Sequence, residues 1–104
     1  MPVDPLLHIE DIQVFPVRLP ERVSSLDNAR IIFRDLVLTA TKQGAKIIEV
    51  TIPRDYDMER AMRLLGLLNR TPQKCVVIVP REQCSPVLQE FAQKYHIELK
   101  VQPT

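Results

Sequence analysis

Short apolar runs alternate along the chain with longer segments whose apolar residues recur at every third or fourth position. The short runs predict β-strands, and the three- and four-residue spacing predicts amphipathic helices. The strand-like runs are 9–19, 46–52, 75–79 and 97–101. The helix-like segments are 26–43, 58–70 and 86–95. The pattern therefore predicts a chain that begins and ends with a strand and places a helix between each pair of strands.

Residues at the ends of the helix-like segments agree with this assignment. Ser25, Asp57 and Ser85 stand where side chains cap the N-terminus of a helix. Gly44 is a typical helix stop, and Pro72 ends the second helix. An alternative exists for residues 31–52, whose strand-forming side chains around the turn 42–45 could make a β-hairpin. We favour the helix because the cap, the spacing and the stop agree with one another.

Alternating strands and helices of this length predict right-handed crossovers and a parallel sheet. We therefore expect a small three-layer α/β domain, with a mostly parallel sheet of four to five strands and three helices. Residues 1–104 would form this single domain, with 1–8 as an irregular N-terminal arm. Pro16 lacks a backbone N–H, which predicts that the first strand lies at an edge. The most apolar run, 75–79, should be central.

Three of the strands end in one repeated phrase, an apolar run followed by proline, a basic residue and an acidic residue. The copies are 17–22, 50–55 and 77–82. In a parallel sheet they would meet at one rim, where α/β sheets usually bind ligands. The predicted binding residues are Arg22, Arg54, Asp55, Arg81 and Glu82. A structural reading also accounts for the phrase, because proline ends a ladder and an acid favours the following helix.

Composition narrows the function classes. The 104 residues carry a formal charge of +1, which gives no overall attraction to nucleic acid or anionic membrane. No apolar run approaches the ~20 residues of a membrane span. The first ten residues do not resemble a secretory signal, and two cysteines suit a reducing compartment, so we expect a cytoplasmic protein. The two glycines and the scattered Cys and His residues predict no phosphate loop, no zinc site and no cofactor.

Two sequence features suggest action on nucleic acid. If the hairpin alternative were correct, Asp35 and Glu49-Val50-Thr51 would resemble the metal-binding carboxylates of PD-(D/E)XK nucleases, although Thr51 replaces that family's lysine. This resemblance implies a metal held by Asp35 and Glu49. Separately, a basic stripe on the second helix could contact phosphates. Its residues are Arg60, Arg63, Arg70 and Lys74.

The order of elements over residues 12–103 resembles that of STAS domains, the fold of anti-sigma-factor antagonists. The segments that carry the resemblance are 17–19, 24–43 and 46–52. The family typically opens its second helix with Asp-Ser-small-Gly, whereas this chain has Arg54-Asp55-Tyr56-Asp57. The resemblance implies a non-enzymatic module that binds a partner. We therefore expect a non-catalytic protein-interaction or regulatory domain, with a protein partner or self-association, and keep nucleic-acid binding and small-anion binding at the rim as alternatives.

Overall fold

The computed structural model describes residues 14–22 and 25–102. The predicted arm, residues 1–8, lies outside the described residues, as does the first part of the predicted strand 9–19. Four strands alternate with three α-helices. The strands are β1 (Val14–Arg18), β2 (Ile47–Thr51), β3 (Lys74–Pro80) and β4 (Glu98–Gln102). The helices are α1 (Leu26–Lys42), α2 (Met58–Leu65) and α3 (Pro86–Lys94), with short 3-10 helices at Gly66–Arg70 and Arg81–Gln83.

Each helix begins at the residue that the sequence predicts. The Ser25 hydroxyl accepts from the backbone N–H of Asn28, and the Ser85 hydroxyl accepts from that of Leu88. Asp57 accepts from two backbone N–H groups in the first turn of α2. These bonds satisfy donors that a helix terminus would otherwise leave unpaired. Because α1 runs unbroken from Leu26 to Lys42, the hairpin alternative for residues 31–52 is wrong.

The four strands form one parallel sheet in the order β1-β2-β3-β4. The predicted edge position of β1 is confirmed, and β3 is an internal strand as expected. Each crossover passes to the adjacent strand, so the order never reverses. In an open α/β sheet, a ligand crevice forms where the strand order reverses. The described sheet has no such reversal.

One hydrophobic cluster holds this sheet and all three helices together. Phe33 of α1, Leu64 of α2 and Leu88 of α3 are each at most 1% exposed. They belong to one cluster with every second residue of the inner strands: Ile48, Val50, Cys75, Val77 and Val79. Successive strand side chains point to opposite faces, so these residues share one face of the sheet. The core therefore lies between that face and the helices.

The fold class is confirmed as a small α/β domain with a four-stranded parallel sheet and three helices. The three helices account for one layer over one face. Of the three layers that we predicted, the described residues thus build two. The physical reason is the strand order: crossovers of one hand that always advance in the same direction place every helix on the same side. A second helical layer requires the order to reverse.

Candidate protein-binding surface

The repeated phrase forms one rim of the sheet. Pro20, Pro53 and Pro80 follow or end neighbouring parallel strands, so they lie at the same edge. The Tyr56 hydroxyl donates to the carbonyl oxygen of Pro20 at 2.6 Å. The Gln83 amide oxygen accepts from the backbone N–H of Asp55 at 2.6 Å. These two bonds connect the loops that follow β1, β2 and β3.

Several rim groups have structural partners. Asp55 has a backbone φ of 65°, a left-handed conformation that aspartate tolerates better than most residues. Arg54 Nε lies 3.5 Å from Glu82 Oε2, and both side chains are exposed. Arg22 and Arg81 are also exposed. The structure thus brings the five predicted rim residues to one edge, and their role in binding stays a prediction.

A small cavity of about 280 Å³ opens beside Tyr56. Its other lining residues are Glu21, Arg54, Asp55, Asp57 and Arg60. Three carboxylates against two arginines make this cavity a poor site for a small anion, because like charges repel. Burial raises the pKa of the Tyr56 phenol above 10.0, although its contact with Arg60 acts in the opposite direction. The phenol is therefore held in its neutral, hydrogen-bond-donating form.

The residues proposed for a nuclease-like metal site lie on different layers. Asp35 is exposed on α1, outside the core that α1 shares with the sheet. Glu49 alternates with the core residues Ile48 and Val50, so it points to the opposite face of the sheet. The hairpin that would have paired them does not form. Within residues 14–22 and 25–102, no group of three acidic, His or Cys side chains could hold a metal ion.

The predicted basic stripe is divided between surfaces. Arg63 lies 3.7 Å from Glu59, and Arg60 interacts with Tyr56. Lys74 opens β3 and lies 3.1 Å from Glu98 on β4. Arg70 belongs to the 3-10 helix and lines a separate groove with Arg34. The four side chains therefore do not form one continuous phosphate-binding face.

The second face of the sheet carries no helix among the described residues, and we call it the open face. It consists of the strand residues that alternate with the core set. Those in β1 and β2 are Val14, Pro16, Arg18, Ile47, Glu49 and Thr51. Those in β3 and β4 are Lys74, Val76, Ile78, Pro80, Glu98, Lys100 and Gln102.

The centre of the open face is apolar. Val76 and Ile78 belong to β3, and Ile47 lies opposite Lys74 on the neighbouring strand. None of the three belongs to the core cluster or packs against it. Val76 is only 6% exposed, so the half-buried Ile47 and Ile78 provide the accessible apolar surface. Val14 is 41% exposed at the edge. All-parallel sheets occur almost only with both faces covered. The open face is therefore a candidate surface for a partner.

Sequence reasoning did not single out this surface, although a signal for it was present. In β2, Glu49 and Thr51 alternate with buried apolar residues, and in β4, Glu98 and Lys100 alternate with Leu99. Polar residues at every second position indicate that one face of a sheet is not covered by the same chain's core. Ile48 is fully buried, whereas Ile47 is half-buried on the open face.

The chain matches no protein-family model, no curated protein and no solved structure. Neither the STAS resemblance nor the nuclease resemblance therefore has support beyond the residues that suggested it. No helix in the described part of the chain is both long enough and apolar enough to cross a membrane.

Proposed function

We propose that this chain is a non-catalytic protein-interaction domain that binds its partner through the open face. One observation carries the proposal: a four-stranded parallel sheet has helices over one face, while the other presents Ile47 and Ile78, both half-buried, without a described covering layer. Covering such a surface removes apolar area from water, which favours association by roughly 25 cal/mol per Å² before the costs of binding.

The hydrogen bonds made by side chains at the predicted rim also support a non-catalytic role. The Tyr56 hydroxyl and the Gln83 amide connect loops, and the Asp57 carboxylate caps α2. A general acid or base needs a titratable group that can reach a substrate proton. At this rim, the Tyr56 hydroxyl and the Asp57 carboxylate are used to hold the fold, whereas the carboxylates of Glu21, Asp55 and Glu82 are exposed.

A photo-crosslinking experiment tests the surface directly. A benzophenone amino acid at position 51 would lie on the open face, and the same group at position 87 would lie on α3. We expect position 51 to form a specific protein adduct in cells of the source organism. The adducted protein would be identified by mass spectrometry, purified and titrated against the wild-type chain.

The matched substitutions are Ile78→Asp on the open face and Val87→Asp on α3, where Val87 is 60% exposed. The proposal expects the first to abolish binding of the purified partner and the second to leave it unchanged. Equal adducts from positions 51 and 87, or binding that survives Ile78→Asp, would count against the open face as the binding surface.

A further inference from the structure

We infer that the partner of the open face is a second copy of this chain, stacked face to face about a two-fold axis that runs across the strands. This inference rests on the proposed function, because it names the partner for the same surface. It is carried by the charge pattern of two neighbouring cross-strand rows.

The sheet register aligns the side chains of the open face in rows. One row runs across all four strands through Pro16, Glu49, Val76 and Glu98. The next row, two residues further along each strand, runs through Arg18, Thr51, Ile78 and Lys100. The first row holds two carboxylates and no cation, and the second holds two cations and no carboxylate. An acidic row therefore lies beside a basic row, with an apolar β3 residue in each.

A two-fold axis midway between the rows, perpendicular to the strands, brings the acidic row of one copy over the basic row of the other. Each strand then faces the same strand of the second copy, in the reverse direction. Val76 meets Ile78 of the second copy, and Glu98 meets Lys100 of the second copy. Each contact occurs twice, as a two-fold interface requires. An axis parallel to the strands would instead lay each row upon itself in reverse order, so that Arg18 of one copy would face Lys100 of the other, which is repulsive.

Two groups of these rows are already engaged within the chain, because Val76 is only 6% exposed and Arg18 Nε lies 3.0 Å from Glu21 Oε2. The groups that form the central contact and the ion pair are available. Ile78 is half-buried and lies outside the core cluster, so packing at this residue does not disturb the core. Lys100 is exposed and forms no ion pair with any described residue. Glu98 has an exposed contact with Lys74 at 3.1 Å, and such surface pairs contribute little. Packed sheets stand about 10 Å apart with strand directions within about 30°, which suits this stacking.

The expected affinity follows from the size of the face. Four strands about 4.8 Å apart, with five residues rising about 3.3 Å each, give a small contact area. Interfaces that bury less than about 1,200 Å² in total are typical of transient complexes. We therefore expect a weak, transient dimer.

Sedimentation equilibrium of the full chain, from roughly 5 to 500 μM at low ionic strength, measures this association. We expect the mass to rise from 12.0 kDa toward twice that value. Ile78→Asp should abolish the rise, and Val87→Asp should not.

Lys100→Glu alone and Glu98→Lys alone should each weaken dimerisation about tenfold. The double variant E98K/K100E should restore it to within about threefold, because each ion pair re-forms with reversed charges. Lys94→Glu on α3 makes the same charge change in the helical layer and should have no effect.

Each other outcome overturns the inference at a stated point. A monomeric mass at every concentration excludes self-association. The occupant of the face would then be another one, such as residues 1–13 or another protein, and the crosslinking experiment would decide the proposed function. A dimer that persists in Ile78→Asp uses another surface. A dimer lost in Ile78→Asp but not restored by the double charge reversal is not related by this axis. If Ile78→Asp does not fold, Lys100→Glu tests whether the dimer uses the open face, because Lys100 is exposed.

Discussion

The hydroxyl of Tyr56 lies 2.6 Å from the carbonyl oxygen of Pro20, 36 residues earlier in the chain. The bond joins the loop after β2 to the loop after β1 at the predicted rim. Tyr56 is therefore a structural link between two crossovers.

Tyr56→Phe removes this bond, together with the contact between the hydroxyl and Arg60, and keeps the ring. We expect the free energy of unfolding to fall by about 1 kcal/mol, the usual net contribution of a partly buried hydrogen bond. Urea titration followed by circular dichroism measures the change. Tyr95→Phe is the matched control, because the Tyr95 hydroxyl has no hydrogen-bond partner among the described residues. Equal effects of the two substitutions would contradict a structural role for the Tyr56 hydroxyl.

Stability should decrease at alkaline pH. Burial raises the pKa of the Cys75 thiol above 9.0, with a weaker opposing effect from Thr71, and burial raises the pKa of the Tyr56 phenol above 10.0. The folded chain therefore holds both protons more tightly than the unfolded chain. Their contribution is complete below pH 9 and is lost as the pH rises through the raised pKa values.

The double variant Cys75→Ala/Tyr56→Phe isolates this effect. Its free energy of unfolding should decline less steeply above pH 9 than that of the wild-type chain. In the wild-type chain, deprotonation of both Cys75 and Tyr56 contributes to the decline. Urea midpoints measured between pH 7 and pH 11 provide the comparison. Parallel pH profiles for the two proteins would show that neither group contributes.

Two adjacent residues of β3 test the assignment of the faces. Val77 is fully buried in the core, whereas Ile78 points to the open face. Val77→Asp buries a carboxylate without a partner and should destabilise the fold by more than about 4 kcal/mol. Ile78→Asp should change the stability of the monomer by no more than about 1 kcal/mol.

Circular dichroism and urea unfolding at a protein concentration too low for association distinguish the two cases. Unfolding of both variants to the same extent would mean that both sides of β3 are covered, contrary to the open face.

The two glycines should respond to alanine in opposite ways. Gly44 follows α1 with φ at +77°, where an added Cβ is strained, so Gly44→Ala should destabilise by about 1 kcal/mol. Gly66 has φ at −60° and no atom within 4 Å of the position of an added Cβ. Close packing therefore does not require glycine there. Gly66→Ala should stabilise by roughly 0.5 kcal/mol, since it restricts the unfolded chain. Thermal unfolding of the pair measures both shifts, and the same sign for both would contradict the argument.

The elements of the fold were predictable because their signals are local. Ser25, Asp57 and Ser85 each bond a backbone N–H within three residues, so the start of each helix is written in a few consecutive positions. The shared rim was also predictable, because parallel strands bring residues such as Arg54 and Arg81 to one edge by topology alone.

The layering was not predictable in the same way. It depends on strand order, a relationship between segments far apart in the sequence. Ile47 and Ile48 are chemically identical, and only the position of the helices makes one a core residue and leaves the other on the open face. The candidate binding surface was missed for this reason, although Glu98 and Lys100 on β4 alternate with Leu99.

The strand order has a consequence for how this chain is made. Because every strand lies beside its predecessor, each one that leaves the ribosome finds its neighbour already synthesised. The strands can pair in the order β1, β2, β3 and β4, and no strand has to wait for a neighbour that is synthesised later. Such a domain is suited to folding during translation, with β4 free to dock as soon as Gln102 has emerged.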